Sequence, residues 1–162
     1  MPDDNLTRMI RLADEFFEVK NDPEQLAIDQ EVMERLRRLH PRTINEIRDE
    51  NGPITWILLI PTTNDLMKQF LSDELSERRL FEKTPAAEKY DAIYLCSALV
   101  LPEHRHKGLA KKLTVEAIQA IRQDHPITSL FYWWFSPGGE NLALSVAKEC
   151  KLPLYKRDHL VQ

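Results

Sequence analysis

The chain has 162 residues, of which 43% are hydrophobic and 30% charged, with a net charge of -4. That length suits a single domain, spanning residues 1–162, that buries a core without help from disulfides or metals. The acidic balance argues against nucleic acid or an anionic membrane as partner, because each calls for a basic footprint.

No run approaches the ~20 apolar residues that a membrane span needs. The opening MPDDNLTRMI is acidic, where a signal peptide has a basic stretch followed by an apolar one. Cys96 and Cys150 form no CxxC pair and read as two reduced, buried thiols. The expected compartment is the cytoplasm.

The first third reads as helical. Leu6, Met9, Ile10, Ala13, Phe16 and Phe17 recur at helical spacing, with Asn5 placed as the cap. Pro23 interrupts, and Leu26, Ile28, Val32, Leu36 and Leu39 mark a second helix that stops before Pro41. The stretch from Ile44 to Asp49 fits helix or strand. Asn51-Gly52 is a turn signal before the apolar, β-branched run Ile54–Ile60, a buried strand. A third helix is expected over 62–83, with Leu66, Met67, Phe70, Leu71, Leu75 and Leu80 on its apolar side. The charges from Asp73 to Lys83 read as its solvated face.

Thr84–Tyr90 is a loop and Asp91–Leu101 a second clear strand. Gly108–Asp124 is an amphipathic helix, with Leu109, Leu113, Ala117, Ala120 and Ile121 on one face. Thr128–Phe135 is an aromatic-rich strand, Pro137-Gly138-Gly139 a turn, Asn141–Cys150 a short helix and Leu152–Lys156 a last strand. Strands alternating with helices predict an α/β fold whose sheet has some parallel pairing.

The chemistry concentrates in Leu99-Val100-Leu101-Pro102-Glu103-His104-Arg105-His106-Lys107-Gly108-Leu109-Ala110. Here a buried strand gives way to a helix. A helix start presents N–H groups without internal partners and the positive end of the dipole, a place for phosphate oxygens. Gly108 lets the backbone approach a pyrophosphate. Ala110 keeps the first turn narrow, and Arg105 and Lys107 add charge. His104 and His106 alternate in the loop but lack a third ligand, so no metal is expected.

This segment resembles the pyrophosphate loop of the GNAT acetyltransferase superfamily, (Gln/Arg)-xx-Gly-x-(Gly/Ala), which follows a strand often ending in Val-x-Pro. Here the counterparts are Val100-Leu101-Pro102 and Arg105 to Ala110. The resemblance covers about residues 91–156, the cofactor-binding half, and touches the helical N-terminal half only in outline. It implies a single-domain GNAT-like fold, a central mixed β-sheet flanked by helices. It implies acetyl-coenzyme A as co-substrate and direct transfer, in a ternary complex, to an amine on a small molecule or protein. The cofactor-binding residues it implies are Leu99, Val100, Arg105, His106, Lys107, Gly108, Leu109, Ala110 and Asn141. Backbone amides around Leu99 and Val100 would hold the oxyanion. Asn141 has a second reading, as the cap of its helix.

Some family members carry a basic Glu eleven residues before the loop's Gln/Arg; counting back from Arg105 gives Tyr94. A phenol is a poor base and a plausible acid, so Tyr94 is the catalytic candidate, with packing as its other reading. Tyr90, Glu88 and Tyr155 stand behind it. Many members have a Tyr seven residues after the Asn; here Lys148 stands there, and Leu152-Pro153 replaces their Gly-Phe pair. An acyl-CoA-binding module with little catalysis, and an interaction domain without cofactor, are the rival readings. The Tyr132–Phe135 aromatics line either the core or a groove. The N-terminal helices and the 62–83 helix are expected to wall the acceptor site.

Overall fold

The computed structural model describes residues 4–20, 29–86, 89–134 and 136–157. Pro23, Leu26, Ile28, Phe135 and the candidate Glu88 lie outside these. Helix α1 spans Asn5–Lys20. Its cap is Asp4, whose carboxylate accepts the Thr7 N–H at 2.8 Å. Asn5 is instead the first helical residue, and its Nδ2 donates to Asp49 Oδ1 at 2.9 Å. A carboxylate at this position satisfies an orphan donor and meets the positive dipole end, so it outcompetes the neighbouring amide. Asp29 caps α2, Gln30–Leu39, in the same way.

Ile44–Asp49 is strand β1, paired antiparallel with β2, Gly52–Thr62. The ambiguous segment becomes a strand because the Asn51-Gly52 turn folds it back on an apolar partner. The expected 62–83 helix is two helices, α3 at Asn64–Leu71 and α4 at Glu77–Lys83. Asp73 takes a left-handed φ of 69° between them, and Ser76 restarts the chain by accepting the Arg79 N–H at 3.1 Å. Ser and Asp side chains compete with helical bonding, which explains a break that apolar spacing conceals. The solvated-face reading fails at one residue: Glu77 is wholly buried, whereas Asp73, Glu74, Arg78, Arg79, Glu82 and Lys83 are exposed.

Strand β3, Ala92–Val100, pairs antiparallel with β2 and parallel with β4, Ser129–Trp133, which in turn pairs parallel with β5, Leu154–Arg157. The sheet order is β1-β2-β3-β4-β5. Parallel neighbours need a crossover. Helix α5, Leu109–Asp124, makes the first and α6, Pro137–Cys150, the second, and the two helices pack together. Pro137-Gly138-Gly139 is therefore the first turn of α6 rather than a free turn. Ser136 caps it at the Gly139 N–H, 3.1 Å away, and Pro suits the first helical position because its missing N–H is not needed there. Asn141, already inside the helix, is exposed and is not its cap.

Phe70 of α3, wholly buried, meets the rings of Tyr94, Phe131 and Trp133 at 5.1, 5.8 and 6.0 Å. Each such side chain contributes roughly 1.5–3 kcal/mol by leaving water, and this cluster locks α3 against the two central strands. No helix among the described residues is long and apolar enough to cross a membrane.

Candidate active site

Two departures from regular pairing shape the centre of the sheet. Across β2, the register shifts so that Leu58 faces Ser97 while Leu59 faces Leu95, which leaves Cys96 as the extra residue of a β-bulge. Across β4, the pairing runs only from Ala92 to Tyr94, against Ser129 to Phe131. Beyond that rung the parallel strands separate. A cavity of about 560 Å³ occupies the gap, with Leu95–Val100 on one side and Tyr132 and Trp133 on the other. It reaches the start of α5 at Arg105 and Ala110 and the start of α6 at Gly138 and Gly139. It also reaches Leu12, Glu15 and Phe16 of α1.

The loop into α5 is built in short steps. The Leu101 N–H donates to Ile54 O at 3.0 Å, and a 3-10 turn follows over Pro102–His104. Arg105 folds back so that its Nε donates to the Val100 carbonyl at 3.0 Å. His106 and Gly108 both take left-handed φ, 63° and 77°, and Gly108 is the N-terminal cap of α5 with no side-chain capping bond. Successive amides around left-handed residues form an anion-binding concavity. A Cβ added at Gly108 would meet no atom within 4 Å. The glycine therefore serves its backbone conformation, and the space above it is open.

Of the residues expected to hold the cofactor, Leu99, Val100, Arg105 and Ala110 line the cavity. His106, Lys107 and Gly108 are exposed beside it. Leu109 packs against the cluster of Met9, Ile54, Leu99 and Leu101 and is the first residue of α5. The Asn141 side chain is exposed and is not on the cavity wall; Leu142, Ala143 and Val146 are the α6 residues that are.

Tyr94 is wholly buried and lies off the cavity wall. Its hydroxyl donates to Glu77 Oε2 at 2.6 Å, and its ring stacks on Phe131. Burial, then the Glu77 charge, push its phenol well above the usual range. The Cys96 thiol lies 3.9 Å from the same Glu77 oxygen, and Cys96 is among the residues that line the cavity. Of the weaker candidates, Tyr90 donates to the Pro85 carbonyl at 2.5 Å, and Tyr155 stands exposed on β5. Among the described residues no group of three or more His, Cys, Asp or Glu is placed to hold a metal ion.

Sequence reasoning missed Glu77, Cys96 and the Ser136-Pro137-Gly138-Gly139 start of α6. The last had a signal, a serine followed by Pro at the first helical position. At that start, Glu140 accepts from the Tyr132 hydroxyl at 2.7 Å and from Lys156 at 3.4 Å. The Tyr132 hydrogen bond chiefly lowers its carboxyl. Arg8 grips Glu103 through two bonds of 2.6 and 2.7 Å, which hold that carboxyl down to about 2 and tie α1 to the 102–104 turn.

No family model matches the chain, and no curated protein matches it. Solved structures do. An aminoglycoside acetyltransferase from an uncultured soil metagenomic sample, in complex with trehalose, is 18% identical at a TM-score of 0.48, covering 90% of this chain and 78% of that one. In complex with sisomicin it is 20% identical at 0.46, with the same coverage. Naa20 of Chaetomium thermophilum, in complex with a bisubstrate analogue, is 16% identical at 0.40, covering 69% of this chain and 53% of that one. The fold is α/β, a mixed five-stranded sheet flanked by helices, with the Arg105–Ala110 loop leaving its central strand.

Proposed function

We propose that the chain binds acetyl-coenzyme A in the cavity between β3 and β4 and transfers the acetyl group to an amine. The observation that carries this reading is the parting of β3 from β4 directly beside the Arg105–Ala110 loop. Past Tyr94, the edge of β3 that faces β4 has no ladder partner. A ligand with amide groups along an extended arm can add there as a strand does, exchanging hydrogen bonds with residues 95–100. The pantetheine arm of coenzyme A has that chemistry. Its diphosphate belongs at the other end, on the open amides before α5, beside Arg105 and Lys107.

The distances support this polarity. From Val100 to Cys96 is roughly 13 Å of strand, comparable to an extended arm of two amides with short methylene links. The thioester carbonyl then lies near the bulge. A bulge re-aims backbone groups out of the ladder, so the amides around Cys96 and Ser97 are suited to the oxyanion. Those of Leu99 and Val100 serve the arm nearer the phosphates. The acceptor amine enters from the side of α1, where Leu12, Glu15 and Phe16 line the cavity. Helices α3 and α4 stand behind the central strands and are not on that wall.

Calorimetric titration with coenzyme A, paired with thioester turnover against a panel of amines, tests the reading. Binding in the micromolar range together with amine-dependent release of coenzyme A is expected. Absence of binding would overturn it, and binding without turnover would leave an acyl-CoA-binding module.

A further inference from the structure

The parted edge of β3 is not bare along its whole length. In an antiparallel pair, a residue either exchanges both its N–H and its C=O with the partner strand or turns both to the opposite side. The Leu101 N–H donates to Ile54 O of β2 at 3.0 Å. Val100, one residue earlier, therefore turns its carbonyl to the edge that faces β4, and Ala98, two residues before it, does the same. Past Tyr94 that edge has no ladder partner. The Val100 carbonyl is nevertheless engaged: the Arg105 Nε–H folds back onto it at 3.0 Å. Arg105 is exposed and follows the 3-10 turn with extended backbone, so burial does not force its side chain onto the strand. The chain itself thus fills the acceptor at the diphosphate end of the edge, and Ala98 offers the next one.

We propose that Arg105 is a positioning residue for the thioester: by closing the Val100 carbonyl it starts the pairing of the ligand's amide arm at Ala98, and so sets the depth at which the acyl group lies. This rests on the acyl-CoA reading above. It gives Arg105 the task of a hydrogen-bond donor, where charge beside the diphosphate was the expectation. The physical ground is register. Strand-like pairing repeats every two residues, roughly 7 Å along the edge. An arm anchored by its diphosphate meets Val100 first. Paired there, it makes hydrogen bonds as good as those at Ala98, so affinity hardly separates the two registers. The thioester, however, then stops one repeat short of the bulge, and a misplacement of even about 1 Å is costly to rate. Filling the outer acceptor removes the shallow register.

Two substitutions separate the donor from the charge. Arg105→Gln removes the charge and carries its Nε2 at the same point of the side chain as the arginine Nε. Arg105→Met has the same reach and no donor. Calorimetry with coenzyme A and steady-state turnover of acetyl-coenzyme A with an amine are measured on wild type and both variants, with melting temperatures to confirm folding. In Arg105→Met, kcat should fall about tenfold, the scale of one hydrogen bond's preference between registers, while the Kd for coenzyme A stays within about threefold. Arg105→Gln should regain most of the lost kcat. If Arg105 instead supplies charge to the diphosphate, both variants lose coenzyme A affinity alike, which overturns the proposal. So does a kcat in Arg105→Gln no better than in Arg105→Met, or a kcat in Arg105→Met equal to wild type. Wild-type binding without turnover overturns it as well, because no transfer remains for the register to serve. Each of these leaves coenzyme A in the cavity; failure of the wild-type chain to bind coenzyme A overturns both readings.

Discussion

The Tyr94 hydroxyl reaches Glu77 Oε2 across 2.6 Å although the two residues belong to different layers, one on the central strand and one on a two-turn helix. Tyr94→Phe keeps the ring against Phe70 and Phe131 and removes that donor from a buried carboxylate. Losing a hydrogen bond to a buried charge costs about 1–3 kcal/mol. The urea midpoint should fall accordingly, with an unchanged slope because the fold's buried surface is the same. A midpoint equal to that of wild type would show that the carboxylate draws its solvation from other groups.

The contrast between what the sequence disclosed and what it hid has a physical basis. Ile54–Ile60, the strand into Pro102 and the Arg105–Ala110 loop were legible because each is local: β-branched runs, a proline exit, a glycine at a left-handed turn. The same holds for the mixed sheet, which alternating strands and helices imply. Glu77 was not legible. It lies in a charged stretch that periodicity assigns to water, and its burial depends on Tyr94 and Cys96, supplied by another element. Cys96 on its own reads as a core thiol; only the mispairing between Leu58 and Leu59 sets it at a bulge. The α3–α4 break was hidden because Leu71, Leu75 and Leu80 continue a helical spacing that the Ser72–Ser76 backbone does not follow.

Helix α1 reaches the cavity through Leu12, Glu15 and Phe16 and is anchored independently by Asn5 on Asp49 and Arg8 on Glu103. Substitution within it should therefore alter acceptor handling without moving the cofactor site. Glu15→Gln removes the carboxylate that α1 sets on the cavity wall. The KM for cationic amines should rise about two- to fivefold, as for an exposed ion pair, with coenzyme A affinity unchanged. Steady-state kinetics with charged and neutral amines distinguish the outcomes: an equal shift for both would remove charge as the cause.

The carboxyl end of α5 carries a pH response. His125 accepts the Tyr90 N–H at Nδ1, 3.4 Å away, and its ring lies 4.7 Å from that of Tyr90 and 5.9 Å from that of His40. Burial foremost, then the charges of His40 and Lys89, lower its pKa below 6.5, against the opposing pull of Asp124. The unfolded chain then takes up this proton at higher pH than the folded one. The stability His125 confers is complete above its unfolded pKa and is lost as pH falls towards the folded value. Melting temperatures measured between about pH 5 and about pH 8 should decline on the acid side. His125→Asn, which keeps an acceptor for the Tyr90 N–H, should flatten that part of the curve; an identical decline would assign it to other groups.

Gly108 decides whether the loop before α5 is a phosphate site. Its φ of 77° is open to glycine and strained for other residues, while the space a Cβ would enter is empty of protein atoms. Backbone strain and ligand clearance can therefore be separated by two substitutions. Gly108→Ala bears the left-handed penalty, roughly 1–2 kcal/mol of stability, and adds only a methyl group above the amides. Gly108→Glu bears the same penalty and also places a carboxylate where the diphosphate is proposed to lie, adding both clash and repulsion. Coenzyme A affinity should fall at least about a hundredfold in the Glu variant, or about 2.7 kcal/mol, and far less in the Ala variant. Arg105→Ala should cost less than Gly108→Glu, because its Nε already serves the Val100 carbonyl and backbone amides supply most of the cradle. Calorimetric titration of the three folded variants measures all of this, and equal affinity in wild type and Gly108→Glu would remove the diphosphate from this loop.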